Sequence, residues 1–222
     1  DSYLWDATMA AFVAHVASRR MTDEVIRQMA YSRIDLLAGE VHESLPAEGG
    51  LDDGGGLGLR EVVDLFRQGG FAVARTPEEL PGLAEAETPV AALFEPGRIA
   101  DPERAPELAE LADFALERLA DRPGGFFLVV ETEEPDSGAH RRELSRIVRG
   151  IRALDQVARR VVDRALADGS TLVLVTADHE TGGIDLLHGD AEHRLGGRWS
   201  TDSHTAEPVP IYAFGAGAER LS

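Results

Sequence analysis

Short apolar runs that alternate with amphipathic helical stretches constrain this chain more than any other feature. The apolar runs are "IDLLAG" (34–39), "FAVAR" (71–75), "PVAALFEP" (89–96), "GFFLVVE" (125–131), "TLVLVTA" (171–177) and "VPIYAFG" (209–215). Between them, helical periodicity covers 9–32, 59–70, 106–122 and 141–169, with Leu108, Leu111, Ala115 and Leu119 on one face of the third range. The first range falls into two stretches, "MAAFVAHVASRR" and "TDEVIRQMAYS", with Thr22 or Asp23 a possible cap of the second. Strands in alternation with helices predict an α/β fold with a mainly parallel central sheet flanked by helices. No repeat and no second domain is visible. Sheets of this kind place ligands at the carboxyl ends of their strands. That rule selects the residues after 130 and after 177; the loop before 209 enters its strand from the other end.

Composition narrows the partners. The net charge is −18 and all 22 basic residues are arginine. Nucleic-acid binding needs a basic face, so that class is excluded. No apolar run approaches the ~20 residues of a membrane span. With no cysteine, thiolate metal sites and disulfides are excluded as well.

Two clusters at the selected strand ends carry metal-ligand chemistry. After "GFFLVVE", Glu131 is followed by Asp136 and His140. A carboxylate and an imidazole four apart can hold one cation if the segment turns helically. After "TLVLVTA" comes Asp178-His179, then Gly182-Gly183. Adjacent residues on a strand point to opposite sides, so this pair converges only if the strand breaks there, and the glycines allow that. His204, in "WSTDSHTAEPVP", sits in a polar loop before the last strand. His188 and His193 are loop residues of lower rank, and His15 lies within the apolar pattern of an early helix. Taken singly, each cluster also fits an ordinary acidic loop with a stray histidine. Together, carboxylate and imidazole ligands without thiolate suit catalytic zinc, and two neighbouring sites suit phosphoryl transfer.

"FFLVVETEEPDSGAH", "VTADHETGG" and "STDSHTAEPVPIYAFG" resemble, in order, the three metal-ligand segments of the alkaline phosphatase family. "DATMAAFVAHVASRR" (6–20) resembles a further segment of it, with Met9 where a proline is usual. The resemblance covers nearly all of the chain. It implies two zinc ions and one magnesium: Asp136, His140 and His204 on one zinc, Asp178 and His179 on the second, and Asp6, Thr8 and Glu131 at the magnesium. It implies that Arg19, at the end of the first helix, grips the phosphate of small phosphomonoester substrates. The implied reaction is phosphomonoester hydrolysis through a phosphoserine intermediate.

The family's nucleophilic serine lies upstream of the "DAT" segment. The resemblance therefore implies that residues 1–222 are a single partial domain lacking its N-terminal part, inactive alone, and that Ser2 is not the nucleophile. It further implies a periplasmic or secreted homodimer. Rival readings are a superfamily phosphodiesterase, phosphomutase or sulfatase, and a non-catalytic metal-binding domain.

Overall fold

The structure is a computed structural model that describes residues 3–41, 45, 57–95, 99, 107–189 and 195–221. Ser2, His193 and most of residues 43–58, rich in Gly, Asp and Glu and read from composition as a loop, lie outside the described residues. The chain divides into two compact units, Asp1–Val130 and Glu131–Ser222. The sequence itself shows no boundary at that point.

The first unit is organised by a parallel sheet. Strands β1 (Leu36–Glu40), β2 (Ala72–Ala74) and β3 (Val90–Phe94) pair in the order β1-β3-β2, with β3 central and buried at every position. A central parallel strand covered on both faces reads as a continuous apolar run, which is the pattern of "VAALF". Ala91 and Leu93 join one core with Val25, Ile26 and Met29 of helix α2 (Thr22–Ala30) and Val62, Val63 and Phe66 of α3 (Leu59–Gln68). Val90, Ala92 and Phe94 point to the other face and are equally buried. Helix α4 (Leu108–Leu119) opens with a capping box between Glu107 and Glu110, and its expected face of Leu108, Leu111, Ala115 and Leu119 is buried.

Of the two helical stretches expected over 9–32, the second forms as α2 from Thr22 and the first is broken. Helix α1 spans only Ala7–Ala11, and residues 12–21 are turns and irregular chain before α2. The side chain of Gln28 occupies the backbone of His15 from both sides: its Oε1 accepts from His15 N at 2.7 Å and its Nε2 donates to His15 O at 3.3 Å. Those backbone groups are thereby taken from an i→i−4 ladder. Two further readings change with it: His15 is exposed rather than in the core, and Arg19 lies in a turn rather than at a helix end.

The second unit contains helix α5 (Glu134–Arg141), the long helix α6 (Leu144–Asp168) and three antiparallel strand pairs. Strand β4 (Leu172–Val175) pairs with β9 (Tyr212–Gly215), β5 (Glu180–Thr181) with β8 (His204–Thr205), and β6 (Ile184–Gly189) with β7 (Leu195–Trp199). The stretch 125–131 is not a strand: it is irregular chain, and Phe127 is 77% exposed. Only Leu172–Val175 and Tyr212–Gly215 of the last two expected strands form ladders, with Leu172 and Leu174 exposed.

The helix expected over 141–169 forms as α6, Leu144–Asp168, and ends at Gly169; the short helix α5 precedes it as a separate element. Arg142 takes a left-handed φ of 60°, and Glu143 N bonds back to Gly138 O at 2.7 Å, which closes α5. The two helices then pack closely because Gly138 and Gly150 lack side chains. A Cβ on Gly150 would stand 2.6 Å from Pro135 Cδ. Glu134 is buried at this contact and takes two bonds from the Arg146 guanidinium, at 2.9 and 2.5 Å. This packing fixes α5, which carries Asp136 and His140.

The turn out of α6 is anchored by Asp168. Its carboxylate accepts from Thr171 Oγ1 at 2.6 Å, from Ser170 N at 2.7 Å and from Thr171 N at 2.9 Å. The Thr171 hydroxyl bond, followed by these backbone donors, pulls its carboxyl down to about 2. A depressed carboxyl stabilises the fold above its unfolded value, ~3.9, and that contribution is lost as pH falls through the folded value. Asp168→Ala is therefore expected to lower the thermal midpoint at neutral pH. The gap from wild type should close between pH ~4 and about 2, measured by thermal melts across that range.

Candidate metal centre

Three segments of the second unit converge. Helix α5 turns as required, so Asp136 and His140 lie on one face, with His140 Nε2 3.4 Å from Asp136 Oδ1. Strand β8 brings His204, whose Nε2 is 3.2 Å from His140 Nε2 and 3.6 Å from Asp136 Oδ1. The break after β4 brings Asp178 and His179, with His179 Nε2 3.2 Å from Asp178 Oδ2. The His179 and His204 rings stack at 3.6 Å. Asp136, His179 and His204 each offer an atom within 4.8 Å of the others, so the two clusters form one neighbourhood.

The donor set fits a metal. Zinc with bonds of about 2.0–2.1 Å in tetrahedral geometry places its ligand atoms ~3.3 Å apart. The three edges between Asp136, His140 and His204 measure 3.4, 3.2 and 3.6 Å. His140 Nδ1 lies 2.7 Å from the Asp202 carbonyl, which can only accept. The proton is therefore on Nδ1 and the Nε2 lone pair faces the cluster.

The glycine pair lies beyond the break, in the turn between β5 and β6. Gly182 and Gly183 have φ of 92° and 53°. Gly182 N donates to Ser203 O at 3.0 Å, and Ser200 N donates to Gly182 O at 3.0 Å. The turn after His179 is thus stitched to the loop before His204.

Three contributors escaped the sequence reading. Thr181 is buried in β5, with its hydroxyl 2.5 Å from Asp136 Oδ1 and 3.1 Å from His179 Nδ1. Glu180 accepts from Gly183 N, Ile184 N and Thr205 Oγ1. Desolvation raises its carboxyl, but the Thr205 hydroxyl, the two N–H donors and nearby His179 outweigh that and hold it below the usual range. Asp202 acts through its carbonyl. Only the contacts made in the fold reveal these roles; residue type alone gives no signal.

In the first unit, Asp6 caps α1 by accepting from Ala7 N at 2.8 Å, Thr8 lies in the first turn, and Arg19 Nη2 is 3.7 Å from Asp6 Oδ1. Glu131 opens the second unit.

The family model for alkaline phosphatase matches residues 2–192. The chain belongs to the alkaline phosphatase family. Among relatives of this phosphatase-type hydrolase family, it is 29% identical to alkaline phosphatase 4 of Bacillus subtilis (strain 168), over 81% of this chain and 39% of the relative. It is 29% identical to streptomycin-6-phosphate phosphatase of Streptomyces griseus, over 97% of this chain and 62% of the relative. A variant of the alkaline phosphatase from the Antarctic bacterium TAB5, solved with Mg bound in its M3 site, superposes with a TM-score of 0.76 at 24% identity, over 98% of this chain and 64% of that one. The fold is thus that of alkaline phosphatases, and the chain spans less than two thirds of each of these three. No helix among the described residues is long and apolar enough to cross a membrane.

Gly183 gives a direct check on the stitched turn. An added Cβ would stand 2.0 Å from Ser200 Oγ, whereas at Gly82 it would meet nothing within 4 Å. Gly183→Ala is expected to cost about 1–2 kcal/mol in chemical denaturation, because its left-handed φ of 53° strains a residue that carries a Cβ. Gly82→Ala should cost much less.

Proposed function

We propose that this chain carries the metal-binding and phosphate-binding residues of a phosphomonoester hydrolase. Asp136, His140 and His204 hold one zinc, Asp178 and His179 hold a second, and Asp6, Thr8 and Glu131 belong to a magnesium site. The observation that carries the reading is the triangle of ligand atoms with edges of 3.2 to 3.6 Å. Bound metal supplies Lewis-acid stabilisation of charge on the phosphoryl group.

The chain's own residues set the rest. The Asp202 carbonyl orients His140, the glycine turn orients His179 against His204, and the planar fork of Arg19 suits two phosphate oxygens. Small phosphomonoesters are the substrate class, which the name of the Streptomyces griseus relative supports. The phosphoserine step is assigned to a protein that also carries the family's nucleophile segment, so the 222-residue chain alone turns over little or no ester.

Zinc content measured by mass spectrometry tests the centre. Purified wild-type chain should retain zinc and His204→Ala should lose it; equal zinc in both refutes the ligand set. Arg19 is tested in a protein that includes the nucleophile segment. There Arg19→Ala should weaken inhibition by inorganic phosphate while Arg20→Ala leaves it unchanged. The reverse pattern would remove Arg19 from the phosphate site.

A further inference from the structure

From the hydrogen bonds of Thr181 we infer that this residue is the positioning residue that couples the two proposed metal positions, one through Asp136 and the other through His179. The inference rests on the metal reading above. Thr181 is 8% exposed and pairs with His204 across the β5–β8 ladder. Its hydroxyl has one proton. An ionised carboxylate only accepts, so that proton goes to Asp136 Oδ1 at 2.5 Å. The hydroxyl oxygen must then accept from His179 Nδ1 at 3.1 Å, which places the imidazole proton on Nδ1. In the neutral ring this turns the Nε2 lone pair toward Asp178 Oδ2, 3.2 Å away, so that the two acceptors face the proposed metal position together.

One hydroxyl therefore orients a carboxylate of one cluster and selects the tautomer of an imidazole in the other. Partners that orient a ligand in this way typically change metal affinity about 10–100-fold when removed. Burial adds force to the assignment. A buried hydroxyl with both bonds made has no competing water, and replacing it with a methyl group leaves Asp136 and His179 each short of a partner.

The test compares the wild-type chain with Thr181→Val, Thr181→Ser and, as a second hydroxyl-free variant, Thr181→Ala. Two quantities are read: the zinc dissociation constant, by competition with a chromogenic chelator, and the tautomer of His179 in the zinc-free protein, by long-range proton–nitrogen NMR. The expected result is binding about 10–100-fold weaker in the Val and Ala variants. Those variants should also lose the Nδ1-protonated signature, while the Ser variant stays close to wild type in both. Val and Ala variants that bind zinc as tightly as wild type with the same tautomer would overturn the proposal. So would a Ser variant as impaired as the Val variant, since that points to packing rather than to the hydroxyl. If the wild type takes up no zinc, the metal reading itself has failed. The tautomer then decides alone: its loss in the Val and Ala variants upholds the Thr181 hydrogen bonds, and its persistence ends them.

Discussion

The Asp136 carboxylate is the point around which the second unit's chemistry is arranged. Its Oδ1 takes the Thr181 hydroxyl and faces two imidazole Nε2 atoms, at 3.4 and 3.6 Å. Each of those neighbours arrives on a different element: His140 one turn along α5, His204 on β8 and Thr181 on β5. Bringing one oxygen and two ring nitrogens this close orders side chains and sets acceptor lone pairs against one another. A divalent cation is the natural partner of such a set, because it turns that mutual repulsion into coordination.

The scaffold answers this demand with packing rather than with regular sheet. Helix α5 is short, and short helices are marginal without tertiary support. It is held against α6 by two glycine contacts and by the buried Glu134–Arg146 pair. The histidine loops hold each other through backbone bonds at Gly182 and Gly183 and through the three-donor grip on Glu180. In the first unit the order is reversed: a parallel three-stranded sheet with a fully buried central strand supplies the rigidity.

How far the sequence could be read follows from these two modes. The continuous apolar run of β3 and the stripe of α4 announce themselves, because burial there depends on local periodicity. The Asp136–His140 spacing was equally legible, since it needs only one helical turn. The long helix α6 was legible as well, up to its stop at Gly169. The left-handed turn at Arg142 that sets it apart from α5 was not, because α5–α6 packing selects it. The break after Ala11 was hidden as well: the competitor for His15's backbone is a side chain thirteen residues away. "GFFLVVE" misled because apolar content marks a strand only where a ladder partner exists. Thr181 and Glu180 were passed over because their significance lies in what they touch.

The central claim is that Asp136, His140 and His204 surround one metal position. A crystal of the chain grown with zinc, measured on both sides of the zinc absorption edge, tests this most directly. The account predicts an anomalous peak about 2.0–2.2 Å from Asp136 Oδ1, His140 Nε2 and His204 Nε2. A fully loaded crystal whose zinc lies elsewhere, with these three side chains holding none, would contradict it.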